Sequence, residues 1–111
     1  MVASAPQYYK QVRFVNSVPD IQMLGDREIV IVGSMKRAKW AVLQCPCGCG
    51  HPLHVDLMET HYPHWRISFH SKNVVSLLPS LWVKDAPCRS HFFIRCNRVT
   101  WATSDDTTAE R

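Results

Sequence analysis

Cys45, Cys47 and Cys49 stand in the run Cys-Pro-Cys-Gly-Cys-Gly, and Cys88 opens the run Cys-Arg-Ser-His. Thiols this close in sequence cannot pair comfortably as disulfides, because a bridge needs Cα atoms about 4.4–6.8 Å apart and converging Cβ vectors. They can wrap one metal ion, with Pro and Gly between them supplying tight turns and exposed amides. Zinc suits such a set, since it favours tetrahedral thiolate or imidazole shells and brings no redox chemistry. Cys45, Cys47, Cys49, Cys88 and His91 are five candidates for four corners. Cys88 and His91 flank the two-residue gap of a metal knuckle, so His91 can be the fourth ligand. Four thiolates on the metal leave His91 for chemistry instead. The expected shell is Cys45, Cys47, Cys49 and Cys88, which uses every cysteine of the two motifs and no other residue type. Such a shell is closed: it staples loops and holds no open position for an activated water.

The remaining candidates are plainer. Cys96 falls in an alternating segment and reads as a small core or edge residue. His51 and His54 follow the cysteine run, where they can orient the thiolates as outer donors or simply face solvent. His61, His64 and His70 have no partner at a recognisable spacing and read as surface residues. No His-Glu-x-x-His helix is present, which weakens a catalytic-metal alternative.

Short alternating segments must position these groups. The 111 residues suffice for one domain, and a core of that size gains from a structural metal. A hydrophobic content of 46% with four Trp is globular rather than disordered. Strands are expected over 11–16, 27–32, 39–44, 53–57, 65–70, 74–78, 91–96 and 98–101, with a short helix between Asp20 and Leu24 or near Leu81. The segment 27–32 is β-branched and expected to be buried on both faces. Pro79-Ser80 is read as a turn opening a loop that returns to Cys88, and Trp65, Trp82 and Trp101 as core. The expectation is a mainly β, single-domain sandwich or rolled antiparallel sheet stapled by a zinc knuckle. It comprises an N-terminal extension (1–10), the zinc-containing β domain (11–102) and a flexible tail (103–111). No apolar stretch has membrane-span length, no signal peptide is evident, and the unpaired cysteines indicate a reducing, cytoplasmic setting. A net charge of +4, scattered apart from Lys36-Arg37-Ala38-Lys39, argues against nucleic acid as the main partner.

The order Cys45-Pro-Cys-Gly-Cys-Gly, Trp65, Val75-Ser-Leu-Leu-Pro-Ser-Leu-Trp82, Cys88-Arg-Ser-His-Phe-Phe-Ile94 and Asn97-Arg-Val-Thr-Trp101 resembles one family of small bacterial proteins. Members are encoded beside ubiquitin-like proteins and their activating and conjugating enzymes. Phe14, Val18-Pro19 and Leu24-Gly25 fit the same pattern, and the likeness covers roughly residues 12–101. The resemblance implies a peptidase that trims a ubiquitin-like precursor or releases the protein from a conjugate. It also implies the ubiquitin-like protein and its activating or conjugating enzymes as partners. The alternative is a non-catalytic zinc-binding interaction module for the same pathway.

Acyl transfer needs a nucleophile, a base within hydrogen-bond reach and donors for the oxyanion. The shared motifs offer Ser76, Ser80 and Ser90, with His91 as the base. Adjacent Ser90 and His91 should point to opposite faces of an extended segment, so a dyad of immediate neighbours is awkward. Ser80, whose Pro-Ser turn can expose the hydroxyl and leave nearby amides free for an oxyanion, is the favoured nucleophile, with Ser90 as a second candidate or an oxyanion donor. Asp85 can orient His91, and Arg89 can fork onto a substrate carboxylate. The plain alternatives are that Ser76 faces solvent or caps a strand end, that Ser80 satisfies turn amides, and that Ser90 donates to a metal-bound sulfur.

Overall fold

A computed structural model describes residues 8–84 and 86–102, so the expectations for the tail and for Asp85 fall outside the described residues. Strand β1 (Gln11–Val15) leads through a 3-10 turn at Ile21–Met23 to β2 (Glu28–Gly33), β3 (Ala38–Gln44) and β4 (Pro52–Asp56). These four form one sheet in that order; β5 (Arg66–Ser71), β6 (Val74–Trp82), β7 (His91–Arg95) and β8 (Arg98–Trp101) form a second. The mainly β sandwich is thus as expected, and the 3-10 turn lies where a short helix was anticipated. One pairing departs from the antiparallel expectation: β1 runs parallel to β2, because the chain crosses over through the 3-10 turn rather than a hairpin.

The inner faces meet in one core. Ile29, Ile31, Leu43 and Val55 from the first sheet pack with Val75, Leu77, Leu81, Phe92 and Ile94 from the second. Val30, Val32 and Val42 point the other way and are covered by Leu24, Val15 and Trp40. Strand β2 is therefore buried on both faces, as its β-branched composition predicts. Tyr9 joins the main core from the N-terminal side, its hydroxyl donating to the Gln44 carbonyl at 2.6 Å.

Three expectations are corrected. Pro79-Ser80 is not a turn: β6 continues to Trp82 through a bulge, advancing from Leu77 to Leu81 while β7 moves only from Ile94 to Phe92. A bulge is one of the few places where a strand accommodates proline. Trp65 is half-buried against the core, but Trp82 and Trp101 are 44% and 41% exposed rather than core residues. Cys96 is exposed and lies in the β7–β8 turn with Asn97, both at positive φ (50° and 66°), as a two-residue hairpin of this hand requires. Asn97 fixes that turn by accepting from the Val75 amide and donating to the Asn73 carbonyl.

The parallel crossover is pinned by Glu28, a buried carboxylate. It accepts from Arg13 Nη2 at 2.8 Å, Arg13 Nε at 3.1 Å, Gln11 Nε2 at 3.1 Å and the Gly25 amide at 2.9 Å. The Arg13 hydrogen bond leads the effects that hold its pKa at about 2, against an ordinary 4.5. A carboxylate with a depressed folded pKa stabilises above its unfolded pKa and loses that contribution as pH falls. The thermal midpoint should therefore drop as pH falls from about 4.5 towards about 2. In Glu28→Gln, circular-dichroism melts should show a shallower fall over that window; an unchanged slope would contradict the assignment.

Candidate functional site

The four expected cysteines converge. Cys45 directly follows β3 and is buried, Cys47 and Cys49 follow in the exposed turn before β4, and Cys88 lies on the connection from β6 to β7. Their sulfurs all lie within 4.8 Å of one another, with Cys45–Cys47 at 3.5 Å, Cys49–Cys88 at 3.7 Å and Cys45–Cys88 at 3.8 Å. A tetrahedron with metal–sulfur bonds of about 2.3 Å has edges of about 3.8 Å, so the set fits a zinc ion. Gly48 and Gly50 take φ of 95° and 82°, values that close the turn without Cβ strain.

Backbone amides are aimed at the sulfurs in a repeating way. The amide of Cys47 reaches Cys45, that of His51 reaches Cys49, and that of Ser90 reaches Cys88, each two residues on. The Ser90 hydroxyl also bonds Cys88, the leading cause of a thiol pKa lowered to about 6. Burial pushes Cys45 the other way, to about 12, so its thiolate needs a cation beside it. His51 enters this shell through its backbone, and His91 does not enter it.

His91 turns to the opposite side of its strand from Ser90, and its Nε2 lies 2.7 Å from Ser80 Oγ. Strand geometry explains the meeting. Trp82 faces His91 directly in the β6–β7 register. Val83 N donates to Ser90 O and Ala102 N to His91 O, so Trp82 and His91 form a non-hydrogen-bonded pair, the closer of the two antiparallel spacings. Their rings stack at 4.7 Å and 8°. Ser80, two residues before Trp82 and within the bulge, reaches diagonally to the imidazole. Trp65 secures the segment by donating its indole N–H to Ser80 O at 2.9 Å. Among the described residues His91 Nδ1 has no hydrogen-bond partner, and the ring is held by its flat stack on Trp82 together with the Ser80 contact at Nε2.

Ser80 and His91 line a cleft of about 470 Å³ with Tyr62, Pro63, His64, Trp65, Pro79, Trp82 and Lys84. Lys84 Nζ sits over the Trp82 ring at 4.7 Å from its centroid. A hydroxyl against an imidazole nitrogen at the wall of an open cleft is the arrangement that nucleophilic acyl transfer uses.

Other residues are placed differently. Ser76 is buried, not solvent-facing: it contacts His70 Nε2 at 2.8 Å and accepts from the Cys96 amide, so His70 too has a partner. His61 is exposed but pairs with Asp56 at 2.6 Å, and its carbonyl contacts His64 Nδ1 at 2.8 Å. Arg89 is exposed, with a φ of 49° that turns the chain between Cys88 and Ser90. The Lys36–Lys39 run occupies the β2–β3 turn and the start of β3. Trp82 is the site residue that the sequence reading placed elsewhere. Its spacing of two from Ser80 would have exposed it had the segment been taken as a strand.

A family model described as bacterial ubiquitination-like system serine protease (BubE) matches residues 14–102. Comparison with curated proteins and with solved structures gave no match. No helix among the described residues is long and apolar enough to cross a membrane.

Protein purified under reducing conditions should carry one metal ion per chain. Cys45→Ser should lose the ion and about 2–3 kcal/mol of stability, a fall in thermal midpoint of roughly 10–20 °C. Metal-free wild type melting at the same temperature as the untreated protein would contradict a stapling role.

Proposed function

The chain belongs to the bacterial ubiquitination-like system serine protease family, and from that premise we propose that it is a zinc-stabilised serine peptidase. Its substrate would be a ubiquitin-like protein, as an extended precursor or as a conjugate. The observation that carries this reading is the 2.7 Å contact between Ser80 Oγ and His91 Nε2 at the cleft wall. With its proton on Nδ1, His91 accepts the Ser80 proton at Nε2 as Oγ attacks the scissile carbonyl. The imidazolium then gives that proton to the leaving amine, freeing it and leaving an ester on Ser80. Water, deprotonated by the same nitrogen, attacks the ester; the bond to Ser80 Oγ breaks, the carboxylate leaves, and Oγ takes back the proton from Nε2. The stacked Trp82 ring favours the imidazolium formed between these steps, because the indole face attracts cations.

Zinc is the proposed ion for the four thiolates, and its part is structural. Cys45, Cys47, Cys49 and Cys88 would hold it, fixing the connection that delivers His91. Ser90 serves this shell rather than the reaction, its hydroxyl being directed at sulfur. The non-catalytic alternative leaves the Ser80–His91 contact and its cleft without a role.

The test is cleavage of a ubiquitin-like protein of the same bacterial system carrying a C-terminal extension. Ser80→Ala and His91→Ala should each lower turnover by about a thousandfold or more while retaining the metal. Ser90→Ala should keep turnover within about tenfold and weaken metal retention. Undiminished cleavage by Ser80→Ala would end the serine mechanism.

A further inference from the structure

A second groove of about 330 Å³ adjoins the cleft, and Trp65, Trp82 and Lys84 line both. One wall is β4, the edge strand of its sheet; the other runs from the end of β6 into the residues after it, Leu81 to Lys84. Both walls present backbone to the space between them. On β4, Cys45 N donates to His51 O and Leu57 N to Lys39 O, so odd-numbered residues of this strand bond inward to β3. Pro52, His54 and Asp56 therefore face outward, and Trp65 N bonds Asp56 O on that outer side. On β6, Leu81 and Val83 face β7, which leaves the Trp82 amide and carbonyl facing away from it. Strand β5 pairs with β6 only as far as Leu78, so it does not cover that stretch.

Outward-facing backbone on an edge strand is a template for another extended chain. We propose that this groove binds the segment of the substrate that ends at the scissile carbonyl, as an added strand pairing with the outward backbone of His54 and Trp82. The inference rests on the peptidase reading and specifies how its substrate is held. Continuity with the cleft sets the occupant: a chain lying along Trp82 passes Ser80, two residues away on the same strand. The acyl side is the one assigned because it is a backbone in precursor and conjugate alike. A leaving lysine side chain in a conjugate offers no extended backbone to pair. His51, His54 and Lys84 make the groove neutral to basic, with no carboxylate among its described lining residues, which suits a chain without basic side chains.

The experiment uses full-length Ser80→Ala and the uncleaved ubiquitin-like protein fused through its C-terminus to a reporter. Binding should slow hydrogen exchange at the His54 and Trp82 amides, read residue by residue by NMR. His54→Pro, which removes the outward amide, should weaken binding about tenfold or more, whereas His54→Ala, which keeps it, should change binding less than about threefold. Bound fusion with both amides unprotected overturns the inference, as does equal weakening by Pro and Ala, or no binding. The two readings fail separately. Wild-type cleavage without amide protection leaves the peptidase and removes the added strand. Protected amides without wild-type cleavage keep the added strand and remove the peptidase.

Discussion

Four sulfur atoms from two distant stretches must occupy one small volume, and the rest of the site follows from that constraint. Cys45 directly follows β3 of one sheet, while Cys88 lies on the connection into β7 of the other. Where they meet, the two sheets are tied at the end of the sandwich that holds the cleft. Four thiolates at 3.5–3.8 Å contacts repel one another, and a buried one is costly; a divalent cation among them reverses both terms. The amides of Cys47, His51 and Ser90 spread the remaining negative charge. With Ser90 drawn to sulfur on one face, strand alternation sends its neighbour His91 to the other.

The second constraint is the bulge in β6. Without it, the register that sets Leu77 opposite Ile94 would continue to set Ser80, not Trp82, opposite His91. The two extra residues shift the pairing so that Trp82 lies opposite His91. The pair falls at the closer antiparallel spacing, and the ring stack follows from that choice. Lys84 over the indole and Trp65 under the Ser80 carbonyl complete the support. Aromatic packing adds to the Ser80 contact in orienting the imidazole, a stiff support because an indole has few rotamers to lose.

The strands were legible because their β-branched alternation and turn residues agree, most clearly in β2 and in the hairpins around Ser71-Lys72-Asn73 and Asn97. The thiolate set was legible because three cysteines this close disfavour disulfides and suit one metal, although the spacing also left His91 as a candidate ligand. Harder to read was anything decided by a partner strand. Pro79-Ser80 has the composition of a turn, yet tertiary pairing with β7 carries the strand through it. Trp82 has the composition of a core residue, yet the shifted register places it at the cleft. The burial of Ser76 and the pairing of His61 with Asp56 depend on which strand ends fall together, which no local pattern states. Parallel β1–β2 pairing was likewise hidden, since the crossover is short and nearly devoid of helix.

The central claim is that Ser80 is a nucleophile activated by His91. A fluorophosphonate, which forms a stable ester only with an activated hydroxyl, tests it without knowledge of the substrate. Mass spectrometry of the labelled protein should place one adduct on Ser80, absent after His91→Ala and after removal of the metal. No adduct, or an adduct on Ser90 or Ser76 with Ser80 unmodified, would contradict the account.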